Sequence, residues 1–253
     1  MRHACLLVRD HPTCRAAGFN AGLLAAGFEV SDSPKPAAGN ILVTWNRNHH
    51  HDTIAEQYER AGASVLVVEN GFYRIPDETG WQHYSISKGQ HHFGGAPVVE
   101  ASVSRLPNPL PWRPAGEHIV VCDQRGIGSK YMASPKGWGE FMADWLRRVT
   151  DRPVVLRKHP RVAKDQAPLI ADLEGAHSCV VWSSCAGVEA LLAGIPVFYA
   201  APRWIGQDAA WPLTVKNIEN PYLADRSRAL ATIASNMWSL AQIEAGEPFK
   251  VLC

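Results

Sequence analysis

The stretch Val180-Val-Trp-Ser-Ser-Cys-Ala-Gly-Val-Glu-Ala-Leu-Leu-Ala-Gly-Ile-Pro-Val-Phe-Tyr199 constrains the fold more than any other part of the chain. Two short apolar runs flank a turn of small polar residues and a helix-forming segment, the pattern of strand, turn, helix and second strand. Gly194 and Pro196 close the helix, because glycine takes the left-handed conformation past a helix end and proline cannot continue it. The turn Ser183-Ser184-Cys185-Ala186-Gly187 places hydroxyls and backbone N–H groups at a helix N-terminus, where the dipole favours an anion, with phosphate the first choice. Simple capping by Ser183 or Ser184 is the structural alternative.

Two further strand exits carry similar chemistry. Pro153-Val-Val-Leu-Arg-Lys-His-Pro160 reads as a buried strand ending in Lys158, His159, Pro160 and Arg161. His118-Ile-Val-Val-Cys-Asp123 ends in Gln124-Arg125-Gly126-Ile127-Gly128-Ser129. In an open parallel sheet ligands bind outside the carboxyl ends of the strands, so these exits are expected to converge on one site. Gly126-x-Gly128 lacks the third glycine of a dinucleotide fingerprint, and no P-loop is present.

The succession of a glycine-containing loop, a Lys158-His159-Pro160 exit and the Ser183-Ser184 turn leading into Gly187-Val-Glu-Ala-Leu-Leu-Ala-Gly-Ile-Pro196 resembles the nucleotide-binding half of glycosyltransferases of the GT-B fold. It is most similar to the capsule-polysaccharide, Kdo- and sialyltransferase-like type and to related uncharacterised phage proteins. The resemblance covers about residues 116 to 246, and the tail from Arg226 to Gly246 looks like the closing helices of such proteins. It implies two Rossmann-like domains facing a cleft. It also implies that His159, Pro160, Ser183 and Ser184 contact the nucleotide of a donor sugar, CMP- or UDP-linked.

The 253 residues, 46% hydrophobic with formal net charge +1, suffice for one large or two small domains. Near-neutral charge removes the footprint of a dedicated nucleic-acid binder, although Arg125, Lys130, Arg157, Lys158 and Arg161 can form a local basic patch. The N-terminal apolar run is too short for a signal peptide, and no run approaches the ~20 apolar residues of a membrane span. A cytoplasmic protein is expected, in the host cytoplasm if phage-encoded. Six cysteines, among them Cys122, Cys179 and Cys185, lack zinc-site spacing and disulfide-scaffold density, so reduced core thiols are expected.

Pro107, Pro109, Pro111 and Pro114 forbid helix and disfavour a central strand, which places the domain boundary there. The division is then 1–113, an acceptor-side domain, and 114–253, a nucleotide-sugar domain; a single larger doubly wound domain is the alternative. The first half alternates strand 4–8, helix 18–26, strand 41–45, helix 52–61 and strand 64–69, which means a parallel sheet with helices on both faces.

The first half also has polar strand exits. Trp45-Asn-Arg-Asn-His-His-His-Asp52 follows one strand and Glu69-Asn70-Gly71 the next. Glycosyl transfer needs a base for the acceptor hydroxyl. Glu69 is the first candidate, because its strand delivers it rigidly, and His50 is the second. Asp52 is expected to begin a helix as a cap and is the third. For Glu69 the rival role is to hold a loop through backbone N–H bonds.

Adjacent histidines cannot all point at one ion, and His91-His92 lie far away in sequence, so solvated or acceptor-contacting histidines are expected rather than a metal site. Tyr73, Trp81, His83, Tyr84 and Phe93 in the long 72–97 segment offer faces for a sugar or base, or simply pack beneath a loop.

The resulting expectation is a glycosyltransferase that needs no metal or cofactor beyond its nucleotide-sugar co-substrate. Arg125, Lys158 and the Ser183-Ser184 turn neutralise the leaving phosphate, His159 contacts nucleotide or phosphate, and Glu189 accepts ribose hydroxyls or pairs with the helix dipole. The acceptor is a surface glycan or, from the phage resemblance, a hydroxymethylated DNA base. The alternatives are a nucleotide-sugar epimerase or hydrolase and a non-catalytic nucleotide- or DNA-binding module.

Overall fold

The computed structural model describes residues 2–9, 11, 15–31, 35–74, 83–113, 115–223 and 225–253. The chain begins with β1 (Arg2–Leu7), α1 (Ala16–Ala25), β2 (Phe28–Ser31), β3 (Ile41–Trp45), α2 (His49–Arg60), β4 (Ser64–Asn70) and β5 (His83–Lys88). It continues through β6 (His118–Cys122), α3 (Trp138–Val149), β7 (Val154–Arg157), α4 (Leu169–Leu173), β8 (Ala176–Val181), α5 (Ala186–Leu192), β9 (Val197–Tyr199) and β10 (Trp211–Pro212). It closes with α6 (Ser227–Ser235), β11 (Met237–Ser239), α7 (Leu240–Glu244) and α8 (Glu247–Leu252). Among the described residues no helix is long and apolar enough to cross a membrane.

Two compact units result. The first comprises Met1–Val103, Ile127–Met132 and Thr232–Cys253, and the second Ser104–Gly126 and Ala133–Ala231. Each is built on its own sheet, so the expected pair of Rossmann-like α/β units is what the chain forms.

In the first unit the strand order is β11-β5-β4-β3-β1-β2. β1 to β4 pair in parallel, whereas β5 pairs antiparallel to β4, and β11 to β5. The apolar runs of β3 and β4 are nearly continuous because both sheet faces are covered. Ile41, Val43, Leu66 and Val68 pack with Phe19 and Leu23 of α1. The alternating residues Leu42, Val65 and Val67 pack with Ala55 and Tyr58 of α2. Full burial of each such side chain stabilises by ~1.5–3 kcal/mol.

The second unit is a parallel sheet ordered β10-β9-β8-β6-β7. Ile119, Val121, Val180 and Phe198 pack under Trp138, Met142 and Leu146 of α3. The residues alternating with them, Val120, Cys179 and Val181, are buried on the opposite face.

The units do not follow a single cut at residue 113. The proline-rich segment belongs to the second unit, where it satisfies the carboxyl end of α5: Leu110 N–H donates to Leu192 O and Arg113 N–H to Gly194 O, both at 2.8 Å. Gly194 has φ +76°, and a Cβ there would overlap the Pro111 carbonyl. The last 22 residues return to the first unit, because β11 extends its sheet and α7 and α8 pack on α1. Gly22 permits that packing, since a Cβ there would overlap the carbonyl of Ile243.

Candidate functional site

In the second unit β6 is flanked by β7 on one side and β8 on the other. The chain leaves β6 through α3 to β7, then crosses back through α4 to β8 and onward through α5 to β9. Right-handed crossovers therefore put α3 on one sheet face and α4 and α5 on the other. The connections diverge between β6 and β8, and such a switch point opens a crevice at the carboxyl ends of the strands.

The residues at this edge are those the sequence singles out around Gln124, His159 and Ser183. Gln124 Oε1 accepts the backbone N–H of Ser183 at 2.6 Å, joining the β6 and β8 exits. The Ser183 hydroxyl is fully buried and has no hydrogen-bond partner among the described residues. Ser184 lies one residue before the cap position of α5, and its Oγ accepts Ala186 N–H at 3.2 Å, while Cys185 at the cap makes no side-chain cap bond. Glu189 is exposed in the first turn of α5.

The β7 exit brings the cations. Burial lowers the pKa of His159, and the neighbouring charges of Arg125 and Arg161 lower it further, with Asp123 opposing. The imidazole is thus neutral near pH 7, and its Nδ1 accepts Arg161 N–H at 3.1 Å. Lys158 pairs with Glu140 in the first turn of α3 and lies 3.6 Å from Asp123 Oδ2. That hydrogen bond to Glu140 raises its pKa. Arg157 is paired with Asp172, so it contributes less free charge than Arg125 and Arg161, which are exposed.

The glycine-containing loop is divided. Gln124, Arg125 and Gly126 remain in the second unit, whereas Gly128, Ser129 and Lys130 belong to the first. There Ser129 is buried and donates to Gln90 Oε1 at 2.6 Å, and Lys130 pairs with Glu56 at 2.5 Å.

In the first unit the β3 exit is a structural knot. Arg47 is 2% exposed; its Nε donates to Asp52 Oδ1 at 2.9 Å, and two of its nitrogens reach Glu59 at 2.6 and 2.9 Å. Asp52 does not cap α2; Asn48 does, accepting from His50 and His51 N–H at 3.0 and 3.2 Å. The reason is register, since the helix begins at His49, one turn before Asp52. The second oxygen of Asp52 accepts Lys130 N–H at 3.0 Å. His51 shares a 2.6 Å hydrogen bond with Thr44, while His49 and His50 are exposed.

Glu69 is the penultimate residue of β4, with 22% of its side chain exposed, and Nε2 of His92 lies 3.6 Å from its Oε2. Burial pushes the Glu69 pKa up, but His92 and His91 outweigh it, and the net direction is down. His91 is driven by burial to about 4, so it is neutral near pH 7. The sequence gives no direct sign of this grouping. It arises because β5 runs antiparallel beside β4, with Glu69 opposite Ser85, and the following turn carries His91 and His92 back. Trp81 lies outside the described residues. Tyr84 is core, against Phe19 at 5.7 Å and Trp45 at 6.3 Å, rather than a free stacking face.

No protein-family model matches the chain, and no curated protein sequence matches it. Among solved structures it is similar to Thermosulfurimonas dismutans KpsC, β-Kdo 2,7-transferase, over 100% of this chain and 99% of that one, with TM-score 0.56 and 14% identity. It is also similar to Thermosulfurimonas dismutans KpsC, β-Kdo 2,4-transferase, over 92% of this chain and 90% of that one, with TM-score 0.53 and 14% identity. At this identity the likeness shows the fold, a Rossmann-like α/β architecture of the GT-B kind.

Proposed function

We propose that the chain is a glycosyltransferase whose second unit holds a nucleotide-sugar donor and whose first unit supplies the base for the acceptor. The observation that carries this reading is the switch point itself. A parallel sheet brings Arg125, Arg161 and the neutral imidazole of His159 to the β6 and β7 exits, and the adjacent β8 exit carries a buried Ser183 hydroxyl with no partner among the described residues. Fixed positive charge and a free donor at a strand-exit crevice suit a phosphate that becomes a leaving group.

In this reading Arg125, Arg161 and Lys158 stabilise the charge that develops on the donor phosphate as its bond to the sugar breaks. Lys158 must loosen from Glu140 to contribute. His159, Gln124, Ser183 and Ser184 orient the nucleotide, and Glu189 faces its ribose. Glu69, ionised near neutral pH, takes the proton of the acceptor hydroxyl as the new glycosidic bond forms. With formal net charge +1, the chain offers little of the long-range attraction that DNA binding relies on, so a glycan is the favoured acceptor over a hydroxymethylated base. The fold shared with two Kdo transferases supports the same class.

A thermal-shift screen of nucleoside phosphates and their sugars tests the reading. A ligand at 100 times its Kd adds ~2.7 kcal/mol of stability, so a nucleotide sugar should raise the melting temperature more than its free sugar does. Equal shifts with nucleotide and free sugar would contradict the donor site.

A further inference from the structure

The second unit also contains a pocket of about 410 Å³ whose walls include Phe141 and Trp145 of α3, Tyr199 at the end of β9, Pro202 and Pro212. Among the described residues, no charged side chain lines it. β9 runs parallel beside β8, with Val181 opposite Tyr199, so the pocket opens at the same sheet edge as Ser183. Ala200 and Ala201 N–H groups donate to Val181 O at 3.0 Å and Trp182 O at 3.1 Å, fixing its floor against the β8 exit. Parallel strands lie ~4.8 Å apart, which puts the β9 exit one spacing from β8 and two from β6. On its other side, Phe141 directly follows Glu140, the partner of Lys158.

Phe141 is 67% exposed. A lone exposed aromatic is ordinary, but this ring stands at a concave wall with an indole and a phenol, over a floor of alanine and proline. Flat, uncharged faces suit a planar heterocycle, and the volume lies within the usual range of small-ligand sites. The neighbouring exits are cationic. A neutral planar end joined to an anionic end within one or two strand spacings is the shape of a nucleotide.

We propose that this pocket is a nucleobase subsite, in which the base of the donor stacks on Phe141 beside Trp145 and Tyr199 while its phosphate lies at the β6 and β8 exits. The assignment rests on the donor-site reading above. Stacking energy comes from the ring faces, so the subsite accepts any planar base.

Isothermal titration of the full chain with CMP, UDP and inorganic pyrophosphate tests it, using Phe141→Ala, Phe141→Tyr and Arg125→Ala. Phe141 is exposed, so its replacement leaves the core untouched. Loss of one base stack is worth a ~5- to 150-fold change in affinity. The Kd for CMP and UDP should rise by that factor in Phe141→Ala and recover in Phe141→Tyr, with pyrophosphate binding equal in the wild type and both Phe141 variants and weaker in Arg125→Ala. Wild-type nucleotide affinity in Phe141→Ala, or an equal loss for pyrophosphate, would overturn the subsite. Pyrophosphate binding that ignores Arg125→Ala would instead strike the phosphate assignment, and a nucleotide-only loss in Phe141→Ala would still uphold the pocket.

Discussion

The backbone N–H of Ser183 and the side-chain Oε1 of Gln124 meet at 2.6 Å, tying together the two strand exits between which the connections of the second sheet diverge. The bond holds the Ser183 turn in place with a residue 59 positions away and leaves the serine hydroxyl itself buried and unpartnered. A buried hydroxyl without a partner costs stability unless a ligand engages it.

Ser183→Ala therefore separates two roles. Removing an unsatisfied hydroxyl should leave the free protein's melting temperature unchanged or higher, while the extra stability conferred by nucleotide shrinks. Parallel melting curves with and without nucleotide check this. A lower melting temperature in the free variant would mean that the hydroxyl has a structural partner.

Glu69→Gln keeps shape and most hydrogen bonding but removes basicity. Turnover should fall by ~10² to 10⁴ with donor affinity unchanged. Because the Glu69 pKa lies below its ordinary value of 4.5, the acid limb of wild-type turnover should also lie below pH 4.5. Normal turnover with a lower melting temperature would make Glu69 a loop anchor and move the search to His50, since both oxygens of Asp52 are engaged.

His91 should set part of the acid sensitivity. Its folded-state pKa of about 4 lies below the ordinary 6.5, so between these values the unfolded chain binds more protons at this site than the folded one. Stability is fully present above pH 6.5 and is lost as pH falls toward 4, by roughly 3 kcal/mol across the window. Glu69, His92 and Arg47 act on the same ring, so His91→Gln should flatten the dependence without abolishing it. Urea midpoints from pH 7 to 4 for both proteins measure the difference, and identical slopes would contradict it.

Gly22→Ala should loosen the returning C-terminus. The added Cβ meets the Ile243 carbonyl and the Phe249 ring, and overpacking of this kind costs about 1–3 kcal/mol. For a chain of this size that lowers the melting temperature by ~2–4 °C per kcal/mol. An unchanged melting temperature would show that α7 and α8 yield without penalty.

What the sequence shows in advance follows from how local each signal is. The strand Ile41–Trp45 and its neighbour from Ser64 stand out as apolar runs, because a parallel strand covered on both faces needs apolar residues throughout. The three polar exits of the second half are legible for the same reason, each following its own run. Asn48 is harder to find, since three histidines after it mask a helix start that its side chain caps. The return of Met237–Ser239 to pair with Ser85, Tyr84 and His83 depends on partners about 150 residues away, which no local pattern encodes. The approach of His92 to Glu69 depends on an antiparallel β5 in an otherwise parallel run, and Ser129 leaves its expected phosphate loop to meet Gln90.

The central claim is that nucleotide phosphate binds at the β6 and β8 exits. A crystal structure of the chain soaked with the nucleotide that gives the largest thermal shift tests it most directly. Phosphate oxygens should lie ~2.7–3.0 Å from the Ser183 hydroxyl and the Arg125 guanidinium. Phosphate density elsewhere, with Ser183 still unpartnered, would contradict the account.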